Sequence, residues 1–107
     1  MDIGLFYQIQ VPKPWTPERE PNIYHELLDQ VPYAEEMGFS TVCLADHQFR
    51  SEWSHSSAPD VTLAALSQRT TQIRLGIAVV VPPVQHPLQI AARVATLDII
   101  SKGRVDL

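Results

Sequence analysis

"VCLADHQFRSEWSH", residues 42–55, sets four apolar residues directly against Asp46 and His47. A short, continuously apolar run such as Val42–Ala45 suits a strand of a parallel sheet that is covered on both faces. In folds built on such sheets, ligands lie at the carboxyl ends of the strands. A histidine placed straight after the run is therefore held where chemistry takes place, and its imidazole can transfer protons near neutral pH. Asp46 either orients that imidazole, caps the loop or pairs with Arg50; adjacent strand residues point opposite ways.

The segments on either side repeat the pattern. "DIGLFY" (2–7) is a first apolar, β-prone run. "NIYHELLDQVPYAEEMGF" (22–39) carries helical spacing at Tyr24, Leu27, Leu28, Val31, Ala34 and Met37, and Gly38 supplies a stop. Pro32 predicts a kink or a break in that helix. "STVCLA" (40–45) is the second strand. "SSAPDVTLAALSQRT" (56–70) opens with Ser57 and Asp60 at capping-box spacing and Pro59 in the first turn. "QIRLGIAVVV" (72–81) is a third strand, "HPLQIAARVATLDIISKG" (86–103) a third helix, and "RVDL" (104–107) a fourth strand cut short. The order β-α-β-α-β-α-β fits an open doubly wound sheet or part of a (β/α)8 barrel. No G-x-G-x-x-G follows the first strand, which removes the main support for a dinucleotide fold.

Composition narrows the function classes. The chain has 107 residues, 45% of them apolar and 19% charged, as in one small globular domain. Eight Lys and Arg against twelve Asp and Glu give a net charge of -4, and no basic cluster offers itself to nucleic acid. No apolar run approaches the roughly 20 residues of a membrane span. The start, "MDIGLFYQIQ", has no basic region and no cleavage site, so no signal peptide is expected and the cytoplasm is the natural compartment. The single cysteine, Cys43, excludes a disulfide framework. His47, His55 and His86 match no ligand spacing, so no metal is expected. "AVVVPPVQHP" (78–87) runs β-branched residues into two prolines and makes a stiff, smooth wall suited to a planar cofactor. Phe49, Trp53 and Trp15 are candidates for a pocket mouth.

Three segments carry a resemblance: "AEEMGFSTVCLADHQF" (34–49), "RLGIAVVVPPVQHPLQIA" (74–91) and "LDIISKGRVDL" (97–107). In this order and spacing the chain resembles the bacterial luciferase-like, flavin-dependent monooxygenases. The resemblance implies an α/β fold, the N-terminal part of a (β/α)8 TIM barrel with about three βα units and the start of strand four. Residues 1–107 would then be the front of a longer barrel domain, since a barrel takes roughly 250 residues. It implies reduced FMN, supplied by a separate flavin reductase, used with O2 to oxidise a small organic substrate. A related branch uses F420 for hydride transfer, and a third reading is a non-catalytic remnant acting only by association. By position, His47 matches the strand-two histidine that lines the flavin site and acts as catalytic acid/base. Gln48 stands where luciferases have a second histidine. Ala78 and Val79 match the cofactor-binding bulge behind the ring, often a cis peptide, with Val79–Val81 as dry surface; His86 and Pro87 match the "HP" of the next helix. The family's dimer contacts imply a homodimer through the 87–101 helix. There Leu88, Ala92, Ala95 and Ile99 form one stripe, and Ile90, Val94 and Leu97 a second.

Overall fold

The computed structural model describes residues 1–107. Four strands alternate with three helices: β1 (Gly4–Tyr7), α1 (Arg19–Glu36), β2 (Thr41–Leu44), α2 (Pro59–Ser67), β3 (Arg74–Ile77), α3 (Pro87–Ser101) and β4 (Val105–Asp106). A single 3-10 turn, Pro82–Val84, precedes α3. All neighbouring strands are parallel and lie in chain order, β1-β2-β3-β4. The register pairs Leu5 with Val42, Val42 with Leu75, and Leu75 with Val105.

That order decides between the two architectures. Right-handed crossovers between strands laid down one after another put every helix on the same side. A doubly wound sheet needs a reversal of order that places helices on both faces. Here all three helices contribute to one core: Leu27 and Val31 from α1, Leu63 and Leu66 from α2, and Leu97 from α3 pack with Val42, Leu44, Leu75 and Ile77 of the sheet. The alternate positions face the other way. Phe6, opposite Cys43, is more than half exposed. Gly76, opposite Cys43 on the next strand, has room for no side chain, because a Cβ there would stand 2.6 Å from Cys43 Sγ. One helix-covered face and one inner face, in sequential order, is the arrangement of consecutive strands in a (β/α)8 barrel.

Sequence expectation and structure differ at the ends of elements. α1 runs unbroken through Pro32. The proline costs one backbone donor, while Leu27, Val31 and Ala34 anchor the helix in the core on both sides of it. The helix also opens at Arg19, taking Pro21 into its first turn, where a missing N–H costs nothing. Ser57 does not cap α2. The N-cap is Ala58, without a side-chain cap, Pro59 is the first helical residue, and the Asp60 carboxylate is taken by Arg93. β3 stops at Ile77, because only the Ala78 amide carries the ladder further, donating to Leu44 O at 2.9 Å, before the cis Ala78–Val79 peptide. α3 follows expectation: His86 Nδ1 accepts from Leu88 N–H, and Lys102 and Gly103 end the helix in left-handed conformations.

The amino edge of the sheet is clamped by two charged side chains. The Glu35 carboxylate accepts from the backbone amides of Thr71, Gln72 and Ile73, which form the turn into β3. Burial pushes this carboxyl up, but the three amides and the nearby Arg104 guanidinium outweigh it and hold the group below its ordinary value. Arg104 closes the same edge from the other side. Its guanidinium donates to Ser101 O, Ser67 O, Thr70 O, Ile73 O and Thr70 Oγ1 at 2.8–3.2 Å. Those acceptors include the open carbonyls at the ends of α2 and α3, where a cation is favoured.

Candidate functional site

The carboxyl edge is built differently. β1 and β2 both leave the sheet through residues with positive φ, Ile9 at 51° and Phe49 at 57°. For a β-branched residue such as Ile9 this is a strained conformation that the surroundings must hold. The two exits are stitched together: His55 N–H donates to Ile9 O at 2.8 Å and Ser54 Oγ to Gln8 O. His47 N–H donates to Ser56 O at 2.8 Å, and Ser56 Oγ to Ala45 O at 2.5 Å, so a closed loop carries the histidine.

Alternation continued past β2 puts Asp46 with Val42 and Leu44 on the helix side and His47 with Cys43 on the inner side. The half-buried His47 lines a cleft with Asp46, Gln48, Phe49, Arg50, Val81 and Val84. Its volume of about 350 Å³ falls within the ~300–1,000 Å³ common for small-molecule sites. The walls are Phe49, Val81 and Val84; the polar groups are His47, Gln48 and Arg50.

Of the residues the sequence singled out, His47 is in this cleft and Phe49 is at its wall, fully exposed. Ala78 and Val79 are not among the lining residues. They stand beside it, at the end of β3, with the peptide bond between them cis and Val79 largely exposed. The expected dry wall of Val79, Val80 and Val81 divides. Val81 faces the cleft, whereas Val80 packs on the helix-side core; β3 ends at Ile77, and the alternation that puts Leu75 and Ile77 on the helix side does not continue through this segment. Trp53 is mostly exposed, and Trp15 packs edge-on against His55, with ring centroids 5.5 Å apart. No group of three or more His, Cys, Asp or Glu side chains is placed to hold a metal ion.

Asp46 neither orients the imidazole nor pairs with Arg50. Its Oδ2 accepts from Gln85 Nε2 at 2.7 Å, and its Oδ1 is buried without a partner. Gln85 Oε1 accepts from Arg93, whose Nε pairs with Asp60 Oδ2 at 2.9 Å. His55, weighed in the sequence only for a metal, instead meets Glu20 through Nδ1 at 2.8 Å. Neither partnership has a local sequence signal: 39 residues separate Asp46 from Gln85, and 35 separate Glu20 from His55.

A sequential parallel sheet with helices on one face is the arrangement found at the front of a (β/α)8 barrel. The chain belongs to the luciferase-like monooxygenase family, whose pattern it matches over residues 1–107. The flavin-dependent trigonelline monooxygenase oxygenase component of Acinetobacter baylyi is 29% identical over 90 residues, which are 84% of this chain and 25% of that protein. An F420-dependent glucose-6-phosphate dehydrogenase of Microbacterium testaceum is 42% identical over 88 residues, 78% of this chain and 26% of that protein. The crystal structure of the monooxygenase RslO1 from Streptomyces bottropensis superimposes with a TM-score of 0.87 at 32% identity, covering all of this chain and 32% of that one. The chain thus spans about a quarter to a third of the length of these proteins. No helix is long and apolar enough to cross a membrane.

Proposed function

We propose that residues 1–107 supply the His47 side of a flavin site in a luciferase-like monooxygenase that uses reduced FMN and O2 on a small organic substrate. The observation that carries this reading is the position of His47, delivered by β2 into an apolar-walled cleft at the carboxyl edge of the sheet. The residues present suit a flavin ring. A planar, largely apolar group needs smooth walls and a few convergent polar groups, and Val81, Val84 and Phe49 with His47 and Gln48 offer both. Reduced FMN, when bound, supplies the electrons with which O2 is activated. With the flavin bound, Val81 and Val84 would supply apolar surface against it, Ala78 and Val79 at the end of β3 would be the further cofactor-binding residues, and His47 Nδ1 or Nε2 would hold and return a proton. The trigonelline relative is an oxygenase component, which favours delivery of the reduced flavin by a separate reductase. The F420-dependent relative supports a second reading, hydride transfer with F420 in the same cleft.

α3 supports a homodimer. Ile90, Val94 and Leu97 turn inward, while Leu88 and Ile99 are about three-quarters exposed. An apolar stripe left on the outside of a helix layer is a surface for association.

The test grafts residues 1–107 onto RslO1 in place of its matching segment and titrates the graft with FMN, reduced FMN and reduced F420. Binding of the reduced flavin with substrate-dependent O2 consumption supports the monooxygenase. Exclusive use of reduced F420 supports the second reading, and binding of neither refutes both.

A further inference from the structure

We propose that Asp46, Gln85, Arg93 and Asp60 form a positioning chain that fixes the separation between the two walls of the His47 cleft. One wall, His47–Arg50, begins at the residue after Asp46; the other, Val81 and Val84, ends at the residue before Gln85. The hydrogen bond from Gln85 Nε2 to Asp46 Oδ2, 2.7 Å long, is the only side-chain hydrogen bond between the loop after β2 and the loop after β3. It joins the walls at their base.

The Gln85 amide is engaged at both ends, which fixes its orientation. Its nitrogen donates to Asp46, and its oxygen accepts from Arg93. A flipped amide would set donor against donor and acceptor against acceptor. Arg93 is held in turn by Asp60 in the first turn of α2, so two helices brace the linkage from outside the cleft. Asp46 is only 5% exposed, and a hydrogen bond to a buried carboxylate is stronger than one at the surface. The geometry explains why an aspartate stands beside the histidine without touching it: it sets where the opposite wall stands. Gln85 and Asp46 are positioning residues, and the inference rests on the flavin reading only for the purpose of the cleft, not for its geometry.

The experiment is amide hydrogen exchange on the full chain, read at Val84 and Gln85, whose amides bond to Val81 O and Pro82 O, with Leu75 in β3 as internal reference. Gln85→Ala removes the tie without adding charge. It is expected to speed exchange at position 84 about 10-fold and leave Leu75 unchanged. Gln85→Glu sets two carboxylates face to face and is expected to do at least as much. In Asp46→Asn/Gln85→Glu the donor and acceptor change places, the new amide donating to a carboxylate that also faces Arg93. Exchange should return to within about 3-fold of the parent, a recovery that simple loss of packing would not give. Unchanged exchange in Gln85→Ala, or a double variant no slower than Gln85→Glu, overturns the proposal. If Gln85→Glu fails to fold, Gln85→Ala decides alone. No flavin enters this readout, so its failure sinks the positioning chain and leaves the flavin reading standing; failure of the graft to bind a cofactor does the reverse.

Discussion

The two edges of the sheet treat their polar groups in opposite ways. At the amino edge Glu35 and Arg104 spend their hydrogen-bonding capacity on backbone groups that the turns and helix ends leave open. At the carboxyl edge the strands exit through left-handed Ile9 and Phe49, Asp46 Oδ1 is buried without a partner, and Phe49 stands exposed. An edge whose Glu35 and Arg104 are spent on backbone groups serves to hold the fold. An edge with strained exits, open apolar walls and an available imidazole has capacity left for a ligand. Substitutions at the carboxyl edge should therefore alter chemistry, and those at the amino edge stability.

The largest effect expected on the chemical side is at His47. In the RslO1 graft, His47→Ala should lower turnover about 100-fold or more, the scale of general acid–base catalysis, with FMN affinity changed only a few-fold. Steady-state kinetics beside a flavin titration checks this, and equal losses in both would remove the distinction. On the structural side, Glu35→Ala should cost about 2–3 kcal/mol in urea unfolding of the chain, because three backbone amides lose a charged acceptor. The cleft should be untouched, visible as unchanged amide exchange at Val84.

A smaller effect is expected between the edges, at Gly76. Its added Cβ would overlap Cys43 Sγ, so Gly76→Ala should cost about 1–3 kcal/mol, and Cys43→Ala in the same chain should recover most of it. The smallest effect is the acid dependence. The folded-state carboxyl of Glu35 lies below its ordinary value of 4.5, so folding binds fewer protons there. Its stabilising contribution is fully present above pH 4.5 and is lost as pH falls through the lowered folded value. Glu35→Gln should flatten the unfolding midpoint over that acid range and change nothing at neutral pH beyond a constant offset.

Much of this contrast was legible in the sequence, and the limits are physical. The apolar runs around Leu5, Val42 and Leu75 and the helical spacing at Leu27 and Val31 gave strands and helices in the right order, because burial on one face leaves a periodic trace. His47 was legible as a strand-end residue for the same reason. The strand order was legible only through the likeness of three segments to a barrel family, since nothing local encodes which neighbour a parallel strand takes. Pro32 does not break α1, because the local breaker is overridden by the packing of Val31 and Ala34. Ser57 misled because Pro59 sets the start of α2. Asp46 was visible as chemistry but not its use, since its partner Gln85 lies 39 residues away and is brought close only by the β3 crossover.

The most direct test of the division between the edges is hydrogen exchange of the RslO1 graft with and without FMN, resolved by residue. Protection is expected at 46–50 and 78–85, with none at 70–73 and 101–105. Protection spread evenly over both edges, or confined to the turn held by Glu35 and Arg104, would contradict it.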